Sequence, residues 1–203
     1  MPAEDRSDSF RAMTSTPIRR SRALFGWLLA GAVVLSACDD PFNEFLLNVP
    51  DEPSEAVLFD FFTGRLQDPS AFDAIGSTVV RVDQTTQWDF LFAIESQVSQ
   101  LLPFSGVADS ASQAGLLKSS RTFEEVLVAP EQGYDTGAPL EIAVGDVVVV
   151  KSRRDRTQIL ICNQYLKLEV LEIDMGAGTV LFRYLRNPNC GDRVLEPGMH
   201  GEI

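Results

Sequence analysis

Few side chains in this sequence are suited to acid–base, nucleophilic or metal chemistry. The 203 residues include one histidine, His200, with three cysteines and four methionines. A Ser-His-Asp or Cys-His arrangement would depend on His200, which lies near the C-terminus, a poor place for a preorganised base. Gly-x-Gly-x-x-Gly, Gly-Lys-Ser/Thr and Cys-x-x-Cys motifs are absent from the sequence, which removes the nucleotide and common zinc sites. We expect no catalytic residues, no metal site and no enzymatic activity.

The charge balance argues against a nucleic-acid partner. There are 29 acidic and 17 basic residues, a net charge of −12, whereas phosphate binding needs a cationic face. The acidic residues offer many carboxylate pairs, but no spacing marks one pair as catalytic. A solvated acidic surface explains them better. The remaining candidates for chemistry are the cysteines.

Cys38 directly follows a signal-peptide pattern. Arg19-Arg20-Ser21-Arg22 precedes residues 23–37, fifteen residues that are nearly all apolar and too few for a membrane span of about 20 residues. The run ends in Leu35-Ser36-Ala37-Cys38, which looks like a bacterial lipobox, the motif whose cysteine is acylated. We expect residues 1–37 to be cleaved and the lipid bilayer to hold the chain through Cys38 on the extracytoplasmic side.

Three details of this leader stay open. An uncleaved anchor helix is the alternative to a cleaved signal peptide, and Met13 is an alternative start. Asp39 and Asp40 resemble an inner-membrane retention signal that not all bacterial lineages obey, so the choice between inner and outer membrane is not made.

The segment after the leader has the composition of a spacer. Residues 38–55 contain three prolines and six acids with little periodicity, and we expect a folded domain over residues 56–203. Residues 1–37 hold five of the basic and three of the acidic residues, so the remaining 166 residues carry a net charge of −14.

The folded part is predicted to be a single all-β domain of antiparallel strands. Short β-branched or aromatic runs are bounded by Gly, Pro, Asp or Ser. Two short helices are predicted, one through Phe72 to Ile75 after an Asp68-Pro69 start and one over Ser110 to Lys118. The predicted strands are Ala56–Phe62, Thr78–Asp83, Gln87–Ile94, Glu125–Ala129, Val147–Lys151, Gln158–Cys162, Tyr165–Ile173 and Thr179–Arg186.

Two of these runs carry a further expectation about burial. Trp88, Phe90 and Phe92 alternate along one predicted strand, and we expect this stripe to fill a core rather than bind a cofactor. Four consecutive valines from Val147 to Val150 indicate a strand buried on both faces. Residues 140–186 are expected to form one contiguous antiparallel meander.

The C-terminal hairpin has a predictable register. The loop from Asp174 to Gly178 holds two glycines, which readily take positive φ. Symmetry about Gly176 makes opposed residue numbers sum to 352. That register pairs Glu169 with Arg183, Val170 with Phe182, Leu168 with Tyr184 and Leu171 with Leu181, so charges face charges and apolar residues face apolar residues.

The same count places Cys162 opposite Cys190. In an oxidising compartment, matched ladder positions favour a disulfide that closes the open end of the hairpin. The alternative is two buried thiols, which a thiol count on the denatured, unreduced chain would reveal.

Several of these runs together resemble the HmuY-like haem-binding lipoproteins. The resemblance covers residues 56–186 and implies an all-β, lipid-anchored fold that holds haem between strands and passes it to an outer-membrane receptor. The similar motifs, in family order, are Phe59-Asp60-Phe61-Phe62-Thr63-Gly64, Thr86-Gln87-Trp88-Asp89-Phe90-Leu91-Phe92, Val147–Lys151, Tyr165-Leu166-Lys167-Leu168-Glu169-Val170 and Phe182-Arg183-Tyr184.

The sequence departs from that family at the haem ligands. Well-known members ligate haem iron with two histidines from the middle of the chain, whereas residues 95–145 contain neither His nor Met. The remaining candidate ligands are Met175, Met199, His200 and the phenolates of Tyr134 and Tyr165. Each also has an ordinary interpretation: a loop-packing side chain for Met175, a solvated tail for Met199 and His200, and sheet aromatics for the tyrosines.

Two functions are therefore carried forward. The first is a HmuY-like extracytoplasmic binding module for haem or another hydrophobic ligand, and the second is an envelope structural or partner-binding lipoprotein with no haem site. Residues 151–156 (KSRRDR) form the one local basic patch, which either meets haem propionates or lipid headgroups or is a solvated loop.

Overall fold

Most strands lie where short β-branched and aromatic runs are bounded by turn-forming residues. The computed structural model describes residues 46–107, 114–154 and 162–200. The predicted signal peptide and Cys38 lie outside these ranges. The described elements are β1 (Ser54–Phe59), β2 (Ala71–Asp73), β3 (Thr78–Val80), β4 (Phe90–Glu95), β5 (Val98–Pro103), α1 (Phe104–Val107), β6 (Gly115–Ser119), β7 (Leu140–Glu141), β8 (Val147–Lys151), β9 (Tyr165–Asp174) and β10 (Thr179–Asn187).

The strands form two five-stranded sheets in which neighbouring strands are antiparallel. The first sheet has the order β1-β10-β9-β8-β6 and the second has the order β3-β2-β4-β5-β7. The predicted all-β antiparallel fold is confirmed. No helix among the described residues has the length and hydropathy needed to cross a membrane.

The main core lies between the two sheets. Phe72 and Phe90 from the second sheet meet Phe182 and Tyr184 from the first, with the Phe72 ring centroid 5.5 Å from that of Phe182 and 4.9 Å from that of Tyr184. Alternation along β8 puts Val148 and Val150 in this core. Aromatic and β-branched side chains from facing sheets thus account for the sandwich packing.

The outer faces of both sheets are also covered. Val147 and Val149 join a second apolar cluster on the outer face of the first sheet, with the loop around Phe123 and Val126. The prediction that the valine run is buried on both faces is confirmed, since all four valines are at most 3% exposed. A third cluster covers the outer face of the second sheet; it contains Ala71, Trp88, Leu91 and Ala93.

Trp88 fills a core as predicted, but on the other side of its strand. Phe90 and Phe92 face the main core, whereas Trp88 packs with Leu91 and Ala93. Regular strand pairing begins only at Phe90. Before that residue the side chains need not alternate between the two faces, so Trp88 does not share the face of Phe90.

The C-terminal hairpin confirms most of the predicted register. Glu169 pairs with Arg183, and the neighbouring pairs Val170–Phe182 and Leu168–Tyr184 also form. The predicted pairing of Leu171 with Leu181 is wrong, because a β-bulge between Leu181 and Phe182 shifts the register by one residue. Leu181 faces Glu172 instead.

A disulfide joins Cys162 and Cys190, as predicted. Their Cα atoms are 5.5 Å apart and the bridge spans 28 residues of sequence. It closes the open end of the hairpin, beyond the pair Tyr165–Asn187. Opposed positions on a ladder bring two Cα atoms to the separation that a disulfide requires.

Both predicted helices are wrong within the described residues. Ala71–Asp73 is β2, because Phe72 pairs with Val79 and Phe90 in the second sheet. The segment predicted as the second helix contains β6 from Gly115 onward, while residues 108–113 lie outside the description. In both segments strand pairing with the core decides the backbone over local helix propensity.

Other predicted strand boundaries also differ from those in the structure. Residues 125–129 form no strand and make a single bridge, Val128 to Val194. The meander covers only β8, β9 and β10, since β7 pairs with β5 in the second sheet. Most of the predicted strand Gln158–Cys162 lies outside the described residues.

The region expected as spacer is packed where it is described. β1 begins at Ser54 rather than residue 56, and Val49 is 1% exposed in the second apolar cluster. The Leu47 amide donates to Asn189 Oδ1 at 2.8 Å.

Candidate functional site

Met175 lies at the tip of the β9–β10 hairpin with its side chain 43% exposed. Its thioether sulfur accepts a hydrogen bond from the Ser99 hydroxyl at 3.3 Å. This bond holds the side chain against β5 of the second sheet. Met175 is thus placed where a ligand can reach it.

Tyr165 lies at the opposite end of β9. It is 8% exposed on the outer face of the first sheet, and its ring centroid is 6.3 Å from that of Tyr134. Burial raises the pKa of both tyrosines above the ordinary phenol value. A phenolate is therefore disfavoured at either position, which weakens their case as iron ligands.

Met199 and His200 also lie away from the hairpin tip. The Val49 amide donates to the Met199 carbonyl at 2.8 Å, and the Gly198 amide donates to the Val49 carbonyl at 3.0 Å. Because Val49 belongs to the cluster that contains Tyr165, this segment is held at the open end of the hairpin. Its backbone is paired rather than a solvated tail.

The candidate ligand residues thus do not converge on one point. β9 contains ten residues, and a strand rises about 3.3 Å per residue, so Met175 and Tyr165 are separated by roughly 30 Å. A pair of axial ligands drawn from Met175 and any of the residues at the open end is excluded by this distance.

Met175 lines a groove at the hairpin tip, which we call the turn-end groove. Its volume is about 440 Å³, within the ~300–1,000 Å³ range of small-molecule sites. Three connections meet there: the β4–β5 turn, the β7–β8 loop and the β9–β10 loop. The lining residues are Gln97, Val98, Ser99, Lys118, Glu141, Ile142, Ala143, Val144, Ile173 and Met175.

Apolar side chains are exposed around this groove. Val144 is 61% exposed and Val98 is 37% exposed, in addition to Met175. One cation faces the groove: Lys118 Nζ lies 2.5 Å from Asp146 Oδ2. The turn-end groove therefore offers an apolar surface, a soft sulfur atom and one ammonium group.

The turn on one side of the groove has a strained backbone. Ser96 and Gln97 have φ of +51° and +66° between the paired residues Glu95 and Val98. Two-residue turns of this kind favour Asn-Gly because both residues lie at positive φ. Ser-Gln in this place costs on the order of 1 kcal/mol per residue, a type of strain that often accompanies functional sites.

A second candidate from sequence, the basic loop 151–156, is used differently. Arg153 turns inward and its Nη1 donates to Asp73 Oδ1 at 2.9 Å and to Asp89 Oδ2 at 2.8 Å. Residues 155 and 156 lie outside the described ranges. Arg153 is therefore neutralised within the fold and does not belong to a surface patch.

Asp89 is the buried centre of this ion cluster. It is 0% exposed, and its carboxylate also accepts the backbone amides of Ala74 at 2.7 Å and Arg153 at 2.5 Å. Burial raises the pKa of Asp89 to about 6, although Arg153 acts in the opposite direction. The cluster joins the β2–β3 turn, the start of β4 and the end of β8. Its carboxylates and guanidinium are bonded to one another, with Asp89 fully buried, so the cluster serves the fold.

Sequence analysis did not single out Lys167, which is 1% exposed on β9. Its Nζ donates to the carbonyls of Phe123 at 2.8 Å and Val126 at 2.9 Å, and lies 4.6 Å from the Phe123 ring centroid. Burial lowers the pKa of Lys167. A lysine between apolar residues, as in Tyr165-Leu166-Lys167-Leu168, is the sequence signal that points to such an anchor.

Comparisons with protein-family models, with curated proteins and with solved structures find no match. Among the described residues, no group of three or more His, Cys, Asp or Glu side chains is arranged to hold a metal ion. The fold and site therefore stand on their own geometry, and the class they define is a two-sheet antiparallel β-sandwich with an open, apolar turn-end groove.

Proposed function

We propose that this protein is a lipid-anchored, extracytoplasmic binding module without catalytic activity, which takes a hydrophobic ligand in the turn-end groove. The observation that carries the proposal is the partly exposed Met175 in the lining of a largely apolar groove of about 440 Å³. The lipobox ending at Cys38 supports the anchor and the compartment.

Haem is the ligand that the HmuY resemblance implies, and the groove fits it in part. Met175 is the one candidate ligand residue that faces the groove, and methionine is an established axial ligand of haem iron. Lys118 lines the groove but is paired with Asp146, so a propionate there would share its ammonium group with that carboxylate. The paired histidines of the family have no counterpart here, so a site with two histidine ligands does not fit this chain.

A hemin titration tests this function. The probe is hemin, added to the chain from residue 39 with its disulfide formed, followed by the Soret band and by the fluorescence of Trp88. We expect one equivalent to bind with a sharpened, shifted Soret band. A titration indistinguishable from buffer would overturn the haem proposal.

Two methionine variants make the test specific. Met175→Ala should weaken hemin binding at least tenfold and remove the shifted band, because the thioether ligand is lost. Met199→Ala is the matched control, since that methionine is similarly exposed, at 51%, but lies at the other end of the hairpin. Equal binding by both variants would place hemin outside the turn-end groove.

The second candidate function is an envelope structural or partner-binding lipoprotein with no haem site. The exposure of Val98, Val144 and Met175 at three adjacent loops favours it, because clustered exposed apolar side chains mark protein contacts. In that case hemin does not bind, and Val144→Asp abolishes crosslinking of the anchored protein to a defined envelope partner.

A further inference from the structure

A second groove lies on the outer face of the first sheet, beside β6, and we call it the basic groove. Its volume is about 510 Å³, slightly larger than the turn-end groove. One wall is β6 with Val149 of β8, and the other is the loop from Val126 to Pro130. The lining residues are Leu117, Lys118, Ser119, Ser120, Arg121, Val126, Val128, Ala129, Pro130, Val149 and Arg193.

The charge of this lining is opposite to that of the whole chain. Lys118, Arg121 and Arg193 line the groove, and no Asp or Glu is among its lining residues, although acidic residues outnumber basic ones by 29 to 17. Lys118 is held by Asp146. Arg121 and Arg193 are the other two cations of the lining, and Arg193 Nη1 donates to the Ala129 carbonyl at 3.4 Å.

Nearby carboxylates are engaged in other bonds. Glu125 Oε2 accepts the amide and the hydroxyl of Thr122, each at 3.0 Å. Glu124 Oε1 lies 2.7 Å from Arg183 Nη2. The bonds from Thr122 chiefly lower the pKa of Glu125, and the nearby charge of Arg121 lowers it further. A ligand anion would therefore compete with Glu125 for the Arg121 guanidinium.

Apart from the three cations and from Ser119 and Ser120, the lining is apolar, and its outer wall is anchored. Val128 is 52% exposed in the groove, next to Val126 and Leu117. The buried ammonium of Lys167 holds the wall from below through the carbonyls of Phe123 and Val126. The chain thus forms an apolar trough with an anchored outer wall and with Arg121 and Arg193 in its lining.

We propose that the basic groove binds a free, single-chain anionic amphiphile of the fatty-acid class. The acyl chain packs on Leu117, Val126 and Val128, and the carboxylate meets the guanidinium groups of Arg121 and Arg193. Arginine forms paired hydrogen bonds with carboxylates. This site is separate from the turn-end groove and does not depend on the function proposed for it.

Calorimetric titration with three twelve-carbon probes tests the ligand class. The probes are laurate, dodecanol and dodecyltrimethylammonium, each kept below the concentration at which it aggregates, with the chain from residue 39 at neutral pH. We expect laurate to bind with one-to-one stoichiometry, dodecanol at least tenfold more weakly, and the cationic probe not at all. Equal binding of laurate and dodecanol would overturn the role of the arginines.

Variants locate the site. Arg121→Gln with Arg193→Gln should weaken laurate binding at least tenfold, and Val128→Asp should abolish it. Val144→Asp, an exposed valine in the turn-end groove, is the matched control and should bind laurate as the unaltered protein does. Loss of binding in the Val144 variant with retention in the Val128 variant would overturn the assignment.

Two further measurements keep the test decisive. The unfolding midpoint of each variant shows that lost binding is not lost folding, and the single variant Arg121→Gln serves where the double variant is unstable. Phosphatidylglycerol vesicles form the last arm: vesicle binding without laurate binding would assign the arginines to a membrane surface and refute a free fatty acid as ligand.

Discussion

Asp89 shows how a single carboxylate in this fold depends on its surroundings. It is fully buried, and its oxygens accept bonds from Ala74 and Arg153. Burial raises its pKa from the ordinary 3.8 to about 6. The folded state therefore binds this proton more tightly than the unfolded chain does.

The raised pKa of Asp89 makes the folded protein more stable at lower pH. As the pH falls from about 6 towards 4, the folded state takes up a proton that the unfolded chain does not yet bind, so Asp89 makes the protein more stable. Relative to Asp89→Asn, the free energy of unfolding of the unaltered protein should rise by about 1 kcal/mol between pH 7.5 and pH 5. Urea denaturation at both pH values measures this difference.

A variant of Arg153 tests whether its charge lowers the pKa of Asp89. Arg153 lowers the pKa of Asp89, so Arg153→Met should move the same gain in stability to higher pH. Parallel stability profiles for the unaltered protein and the Asp89 variant would contradict the raised pKa.

At the scale of elements, the β9–β10 hairpin and its disulfide belong together. Charged and apolar pairs match across the ladder, with Arg183 Nη2 2.5 Å from Glu169 Oε2. The bridge Cys162–Cys190 then closes the open end. The loop it closes spans 28 residues of sequence, so a chain-entropy estimate gives a stabilisation of about 3 kcal/mol.

Removing the disulfide should reduce the stability of the protein by the amount that the chain-entropy estimate gives. Cys162→Ser combined with Cys190→Ser is expected to lower the free energy of unfolding by about 3 kcal/mol, mainly because the unfolded chain regains conformational freedom. Chemical denaturation under non-reducing conditions measures the loss. Adding reductant should destabilise the unaltered protein and leave the double variant unchanged; equal stability of the two proteins without reductant would refute the estimate.

The two segments that were predicted as helices form strands β2 and β6 for one shared reason. Phe72 sits in a short segment with an apparent helix start, yet it pairs with Phe90 and fills the core between the sheets. Residues 115–118 likewise join β8 through β6. Helical propensity is a local quantity, whereas the pairing that overrides it involves residues distant in sequence.

At the scale of the whole molecule, the lipobox predicts where the folded part is held. Cys38→Ser should abolish metabolic labelling of the full-length protein with a fatty-acid analogue and release it from the membrane fraction, because the acyl chains have no attachment atom. Cell fractionation and gel mobility in a bacterial host measure both effects. Cys162→Ser combined with Cys190→Ser is the control and should keep its label; label retained in the Cys38 variant would contradict acylation at that residue.

The two grooves give this molecule two chemically different faces. The turn-end groove combines exposed apolar side chains with the Met175 thioether, and the basic groove combines an apolar trough with Arg121 and Arg193. They share Lys118 at their common boundary. The two proposals can therefore succeed or fail separately, since hemin and laurate are tested with different variants.

Sequence alone determined the features that depend on local spacing. Period-two alternation predicted most strands, matched charges and apolar residues predicted the hairpin pairing up to the bulge at Leu181, and the same count paired Cys162 with Cys190. These predictions succeed because the alternation of a strand is visible within a few residues, and because the two strands of a hairpin are neighbours in the chain.

The tertiary structure alone decided which distant residues meet. It placed β7 in the second sheet, Trp88 on the outer face, and Asp89 with Arg153, 64 residues apart in sequence. It also separated Met175 from the other candidate ligands and formed both grooves. Burial and pairing between sheets depend on the packing of the whole chain, and no local pattern of residue types encodes that packing.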